Sequence, residues 1–164
     1  MILYRVATKD DLPELNQICN ECFYAKDVEY KTLSICLLAV TDAGQIVGFS
    51  GLVMPEESIF EDAELGFTWV HKDFRNKGIC TKLLEMVMAR VTGDVYCSAW
   101  RTWDNTERAH LHSILTKLGF NLVEQGYIHW SGKHTCKRST CSYAKACQTE
   151  CECWEDLYWR PGTN

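Results

Sequence analysis

Proline is scarce in this chain, three residues in 164, and no Gly/Ser-rich linker, internal repeat or low-complexity run interrupts it. Nothing therefore marks a domain boundary, and the length fits one domain, residues 1–164, able to bury about two-thirds of its unfolded surface. Long hydrophobic runs are missing too. The longest apolar stretches are strand-sized, far short of the ~20 residues a membrane span needs, and the chain starts on a strand pattern instead of a basic segment followed by an apolar one. The expectation is a soluble cytoplasmic protein with no membrane partner. Excess positive charge is also absent. Seventeen basic residues against 22 acidic ones give a formal net charge of −5, and aromatic residues are spread through the chain, so there is no footprint for nonspecific nucleic-acid binding.

Cysteine, by contrast, is abundant, with ten residues. Without a secretory signal, mostly reduced thiols are expected. Cys19 and Cys22 form a C-x-x-C, but they continue the apolar stripe begun by Leu12 and Leu15. Buried thiols acting as small hydrophobes fit that pattern better than a redox pair. Cys36 and Cys97 fall in strand patterns and read as core.

Along the chain, residues 2–7 read as a strand, followed by Thr8 as a helix N-cap and an acidic first turn. Residues 35–40 and 46–54, joined by Thr41-Asp42-Ala43-Gly44, read as a hairpin. Residues 64–70 form the next strand. Ile79, Leu83, Val87 and Val91 mark a helix, 94–100 a strand, and 105–118 a helix with Leu111, Leu115 and Leu118 on one face. Gly119 takes the C-cap position. Residues 121–130 and 154–160 are strand-like. His110 and His112 read as surface or rim residues.

The junction after the strand that ends at Val70 carries the chemistry. From Lys72 to Arg90 there are five basic residues, Lys72, Arg75, Lys77, Lys82 and Arg90, against Asp73 and Glu85. Basic charge is therefore concentrated in a chain that is acidic as a whole. A helix first turn has amide N–H groups without intrahelical partners and partial positive charge, so it can hold a pyrophosphate largely by main chain. Gly78 lets the ligand approach closely.

Arg75-x-x-Gly78-x-Cys80 resembles the acetyl-CoA pyrophosphate loop of the GNAT superfamily of N-acetyltransferases, R/Q-x-x-G-x-G/A, with Cys80 where glycine or alanine is preferred. Lys117-Leu118-Gly119-Phe120 looks like the family's step into its sixth strand, and the resemblance covers roughly residues 1–130. It implies an α/β (α+β) fold, a mixed, mostly antiparallel sheet of about six to seven strands flanked by helices. It further implies that Trp69, Val70 and Lys72 meet the pantetheine amides of acetyl-CoA, and that Arg75, Asn76, Lys77, Gly78, Ile79, Cys80 and Thr81 wrap the pyrophosphate. Asn105 is a weaker candidate contact to the pantetheine arm.

The activity implied is direct transfer of acetyl from acetyl-CoA to a primary amine, small molecule or peptide, by a monomer or homodimer. Glu64, eleven positions before Arg75, matches the offset of the catalytic base in the histone-acetyltransferase branch. An amine with an ordinary pKa near 10 needs such a base at neutral pH. The competing reading is a solvated or ion-paired carboxylate. On strand alternation Glu64, Gly66, Thr68 and Val70 share one face. The tyrosine that often protonates the departing sulfur is replaced by Leu115, and whether Tyr96, Tyr127, Tyr143 or water substitutes is left open by these residues. A catalytically weak CoA-binding or metal-linked regulatory module of the same fold is the alternative. The Trp100-Arg101-Thr102-Trp103 stretch reads as an aromatic wall for the acceptor or as packing.

Residues 131–153 form a cysteine-rich insertion between the last two strands. Cys141, Cys147, Cys151 and Cys153, or a set using Cys136 or His134, supply enough ligands for tetrahedral zinc. Disulfides and uncommitted thiols compete with zinc, since no C-x-x-C knuckle is present here.

Overall fold

A computed structural model of the chain describes residues 1–22, 33–54, 62–101, 109–129 and 153–163. The expected residues Asn105, His134, Cys136, Cys141, Tyr143, Cys147 and Cys151 lie outside the described residues. The backbone falls into two compact units, residues 1–95 with 162–164, and residues 96–161. Seven strands, four in the first unit and three mainly in the second, are mostly antiparallel and accompanied by helices, the fold class that the family resemblance implies.

In the first unit the strands are β1 (Ile2–Val6), β2 (Leu33–Thr41), β3 (Ile46–Val53) and β4 (Ala63–Val70), antiparallel neighbours in that order. Helix α1 (Leu12–Cys22) covers one face, where Leu15 and Cys19 join Cys36, Leu38, Val40, Phe49 and Val53 in a buried cluster. Cys19 and Cys36 are core thiols, as expected. Burial first, and then the neighbouring Cys19, push the Cys36 thiol up to about 12. Thr8 caps a short 3-10 turn, Lys9–Asp11, that leads into α1. Asp11 Oδ2 accepts from the Thr8 amide (2.7 Å) and hydroxyl (2.9 Å), while Arg5 donates to both carboxylate oxygens at 2.7 and 2.6 Å.

Helix α2 (Ile79–Met88) buries Ile79, Leu83, Leu84, Val87 and Met88. It packs on β2, β3 and β4. The helix ends at Met88, so Val91, read as part of its stripe, lies beyond it in a half-buried connection. Gly48 makes the close packing feasible. A Cβ there would lie 3.2 Å from Ile79 Cγ2 and 3.3 Å from Leu83 Cδ1.

In the second unit the strand order is β5 (Val95–Arg101, its first residue belonging to the first unit), β7 (Trp154–Arg160) and β6 (Asn121–His129). Helix α3 spans only His112–Lys117, shorter than the expected 105–118, because His110 and Leu111 form a turn and 102–108 lie outside the described residues. Cys97 is buried in β5, as read from the sequence. His112 is a partial correction. It is half-buried, and its Nδ1 is 3.0 Å from the hydroxyl of Tyr158, which is fully buried.

Candidate active site

Strand β4 carries an irregularity that strand alternation does not anticipate. Phe49 pairs with Trp69, yet Gly51, two residues on, pairs with Gly66, three residues back. The extra residue is absorbed at Phe67, which sits in the left-handed region at φ 43°. This is a β-bulge, which locally shifts the ladder and re-aims side chains. It corrects the expected shared face. Antiparallel partners share a face, so Glu64 and Gly66, opposite Val53 and Gly51, lie with Trp69, whereas Thr68 and Val70 lie on the other side. The Thr68 and Ser50 hydroxyls, 2.9 Å apart, agree with that assignment.

Past Val70 the chain turns through a 3-10 turn, Lys72–Phe74, capped by His71, whose Nδ1 accepts from the Asp73 amide at 3.3 Å. The Asp73 carboxylate is 3.8 Å from the same ring. An aromatic ladder supports the turn: Phe49, Trp69, His71 and Phe74 follow one another with ring centroids 5.9 Å apart at each step. Lys77 Nζ lies 5.0 Å over the Phe74 ring and donates to the Asp73 carbonyl at 2.9 Å. Arg75 Nε donates to the Val70 carbonyl at 3.1 Å. No described carboxylate pairs with Lys72, Arg75 or Lys77. Their charge is therefore available to an external anion.

Gly78 is the N-cap of α2, left-handed at φ 76° and exposed. A Cβ there would meet nothing within 4 Å, so glycine is required by the backbone angle and leaves the approach from solvent clear. The Lys82 amide makes the first intrahelical bond, to the Gly78 carbonyl at 3.0 Å. The amides of Ile79, Cys80 and Thr81 precede it, in the turn where helical N–H groups lack intrahelical acceptors. The residues from Lys72 to Thr81 are thus brought together around one exposed helix start, as their spacing predicts. This donor set fits a diphosphate. Ile79 can take part only through its main chain, since its side chain is 3% exposed in the core. Burial pushes the half-buried Cys80 thiol up to about 11, so it stays neutral near the anion site.

The sequence model of the acetyltransferase (GNAT) family matches residues 3–120, most of the chain. The chain belongs to that family. It is accordingly an acyltransferase, and the fold agrees. An acetyltransferase of the GNAT family from Staphylococcus aureus is 17% identical over 98% of this chain and 99% of its own, with a TM-score of 0.59. Arabidopsis thaliana NAA60, solved with a bisubstrate analogue, is 17% identical over 99% of this chain and 100% of its own, with a TM-score of 0.62. The GNAT family N-acetyltransferase YhbS of Escherichia coli, solved with CoA, is 17% identical over 74% of this chain and 69% of its own, with a TM-score of 0.53. No curated protein matches.

Other expected site residues stand as follows. Glu64 is half-buried on β4. Trp69 packs its ring against Phe49 and pairs with the same residue across the β3–β4 ladder. Leu115 is fully buried, so packing occupies the position where the GNAT tyrosine often stands. Tyr96 is half-buried on β5. Of the zinc candidates only Cys153 is described; it is buried ahead of β7, and no group of three or more metal-ligating side chains occurs among the described residues. No described helix is long and apolar enough to cross a membrane. Sequence reasoning missed the Phe67 bulge and the His71 cap. Gly66 beside Phe67 is a weak bulge signal, and nothing in the local sequence marks His71.

Proposed function

We propose that the chain transfers acetyl from acetyl-CoA to a primary amine acceptor, and that residues 1–164 act as one acetyltransferase domain. The observation that carries this reading is the left-handed Gly78 at the start of α2, with Lys72, Arg75 and Lys77 beside it in sequence and paired with no described carboxylate. The amides after Gly78, with Arg75, Asn76 and Lys77, hold the diphosphate. The main chain of Trp69 and Val70, beyond the Phe67 bulge, and Lys72 face the pantetheine arm, and Asn105 adds a further contact to it.

When bound, acetyl-CoA supplies an activated acyl group, whose carbon bonds to the amine nitrogen as the C–S bond breaks. Glu64 accepts the proton that the ammonium must lose, directly or through one water. Without a tyrosine at position 115 the thiolate leaves unassisted by that residue, which positioning can compensate by several kcal/mol.

Titration with acetyl-CoA, followed by thiol release against a panel of amines, tests the reading. Binding with release for at least one amine is expected; tight binding with no release for any would leave only a cofactor-binding module. Gly78→Asp is expected to weaken acetyl-CoA binding by ~100-fold, through a left-handed penalty and a misplaced negative charge. Unchanged affinity would remove the loop assignment. Glu64→Gln is expected to leave that affinity intact and to lower turnover most at low pH, where the amine is hardest to deprotonate. A flat profile in both forms would take Glu64 out of the mechanism.

A further inference from the structure

The turn between β4 and α2 is held at its start by one residue. The His71 amide donates to the Val47 carbonyl of β3 at 2.9 Å, and the His71 carbonyl accepts from the Phe74 amide at 2.9 Å. The ring adds further restraints. Its Nδ1 accepts from the Asp73 amide at 3.3 Å, and it meets the rings of Trp69 and Phe74 edge-on, at interplanar angles of 82° and 70°. His71 is half-buried, whereas Lys72, Asp73 and every residue from Arg75 to Gly78 are exposed. A segment with so little packing opens at low cost unless its polar contacts hold it.

Two other side chains tie this turn among the described residues, and both are cations. Arg75 Nε donates to the Val70 carbonyl at 3.1 Å, and Lys77 Nζ to the Asp73 carbonyl at 2.9 Å. A diphosphate competes for these donors, because a cation bonds more strongly to a phosphate oxygen than to a neutral carbonyl. The His71 contact is not open to that competition. Its Nδ1 is an acceptor here and has nothing to offer an anion, so this restraint persists when the cofactor binds.

We infer that His71 is a positioning residue for the diphosphate loop: its ring nitrogen keeps the Lys72–Phe74 turn formed, so that the chain enters Gly78 and the first turn of α2 already in the conformation that acetyl-CoA takes up. The inference rests on the loop assignment under the proposed function. Preorganisation of this kind raises affinity by removing an ordering cost from the binding step. The loss of one cap bond corresponds to about fivefold in an equilibrium constant.

Two substitutions separate the acceptor from the ring. Asparagine Oδ1 stands the same number of bonds from Cα as histidine Nδ1, and asparagine is a favoured cap residue. Phenylalanine keeps an aromatic surface and has no acceptor. Calorimetric titration of the full chain with acetyl-CoA is expected to show His71→Phe binding about fivefold more weakly than the wild type, and His71→Asn within about twofold of it. His71→Ala, which has no ring to misplace, is expected to bind as weakly as His71→Phe and decides the matter if the latter is poorly folded by urea titration. With an amine that supports turnover, His71→Phe is expected to raise KM for acetyl-CoA about fivefold and to leave kcat within about twofold. Equal weakening in the asparagine and phenylalanine variants, or wild-type affinity in the phenylalanine and alanine variants, overturns the role of His71 while the loop assignment stands. A wild type that does not bind acetyl-CoA removes the loop assignment, and this inference with it.

Discussion

From Lys72 to Thr81 in the first unit, the proposed diphosphate site is built from main chain: a left-handed glycine, a turn capped by one ring, and first-turn amides without intrahelical acceptors. Across β5 and β7 in the second unit the contacts are between side chains, with Arg101 bonded to Asp156 and Ser98 to Glu155 over more than fifty positions of sequence. A main-chain site tolerates substitution wherever the backbone angles survive. A side-chain site depends on each partner, because removing one leaves the other buried and unpaired.

The largest effect should therefore come from the second unit. Asp156→Ala removes the carboxylate beside the Arg101 guanidinium, about 10% exposed in its side chain, and the acceptor of the Gly126 amide. Breaking a buried pair in this way costs about 3–5 kcal/mol. Urea unfolding should report the loss, and a double replacement, Asp156→Leu with Arg101→Met, should recover most of it. A loss below about 1 kcal/mol would mean that this region is as tolerant as the phosphate loop, and the contrast would fail.

A smaller and differently distributed effect is expected in the first unit. Gly78→Ala introduces no clash but places an L side chain at φ 76°, which costs about 1–2 kcal/mol. The methyl group also stands where a diphosphate would approach, so acetyl-CoA affinity should drop about tenfold. Gly93→Ala, equally uncrowded and without a positive φ, is the control and should stay within about 0.5 kcal/mol of wild type. Equal effects at both glycines would show that the left-handed angle is not what matters.

The same contrast explains how much could be read before the fold was seen. The phosphate loop is ten consecutive residues, so Arg75-x-x-Gly78-x-Cys80 states its own geometry, and the hairpin, the strands and α2 follow from local periodicity. The bulge at Phe67 was not legible, since it arises from how β3 and β4 align and not from β4 alone. Nor was the Ser98–Glu155 contact, whose partners are 57 positions apart. Residues 154–160 read only as strand-like, and only the packed unit reveals Asp156 within them as fully buried.

The smallest expected effect lies at the first turn, far from the candidate site in sequence, and it sharpens the rule that satisfied main-chain donors matter even where side chains are partly exposed. The Arg5 guanidinium, and then the Thr8 amide and hydroxyl, hold the Asp11 carboxyl well below the usual carboxylate range against the opposing effect of burial. A depressed carboxyl stabilises the fold above its unfolded pKa, near 4, and that stabilisation fades as pH falls toward the lower folded value. Asp11→Asn should cost about 1 kcal/mol at pH 7, the usual worth of such a cap with a partly exposed ion pair. Urea midpoints of the two proteins should converge as pH drops below about 4. A gap of the same size at pH 7 and pH 3 would mean that the charge on Asp11 contributes nothing to it.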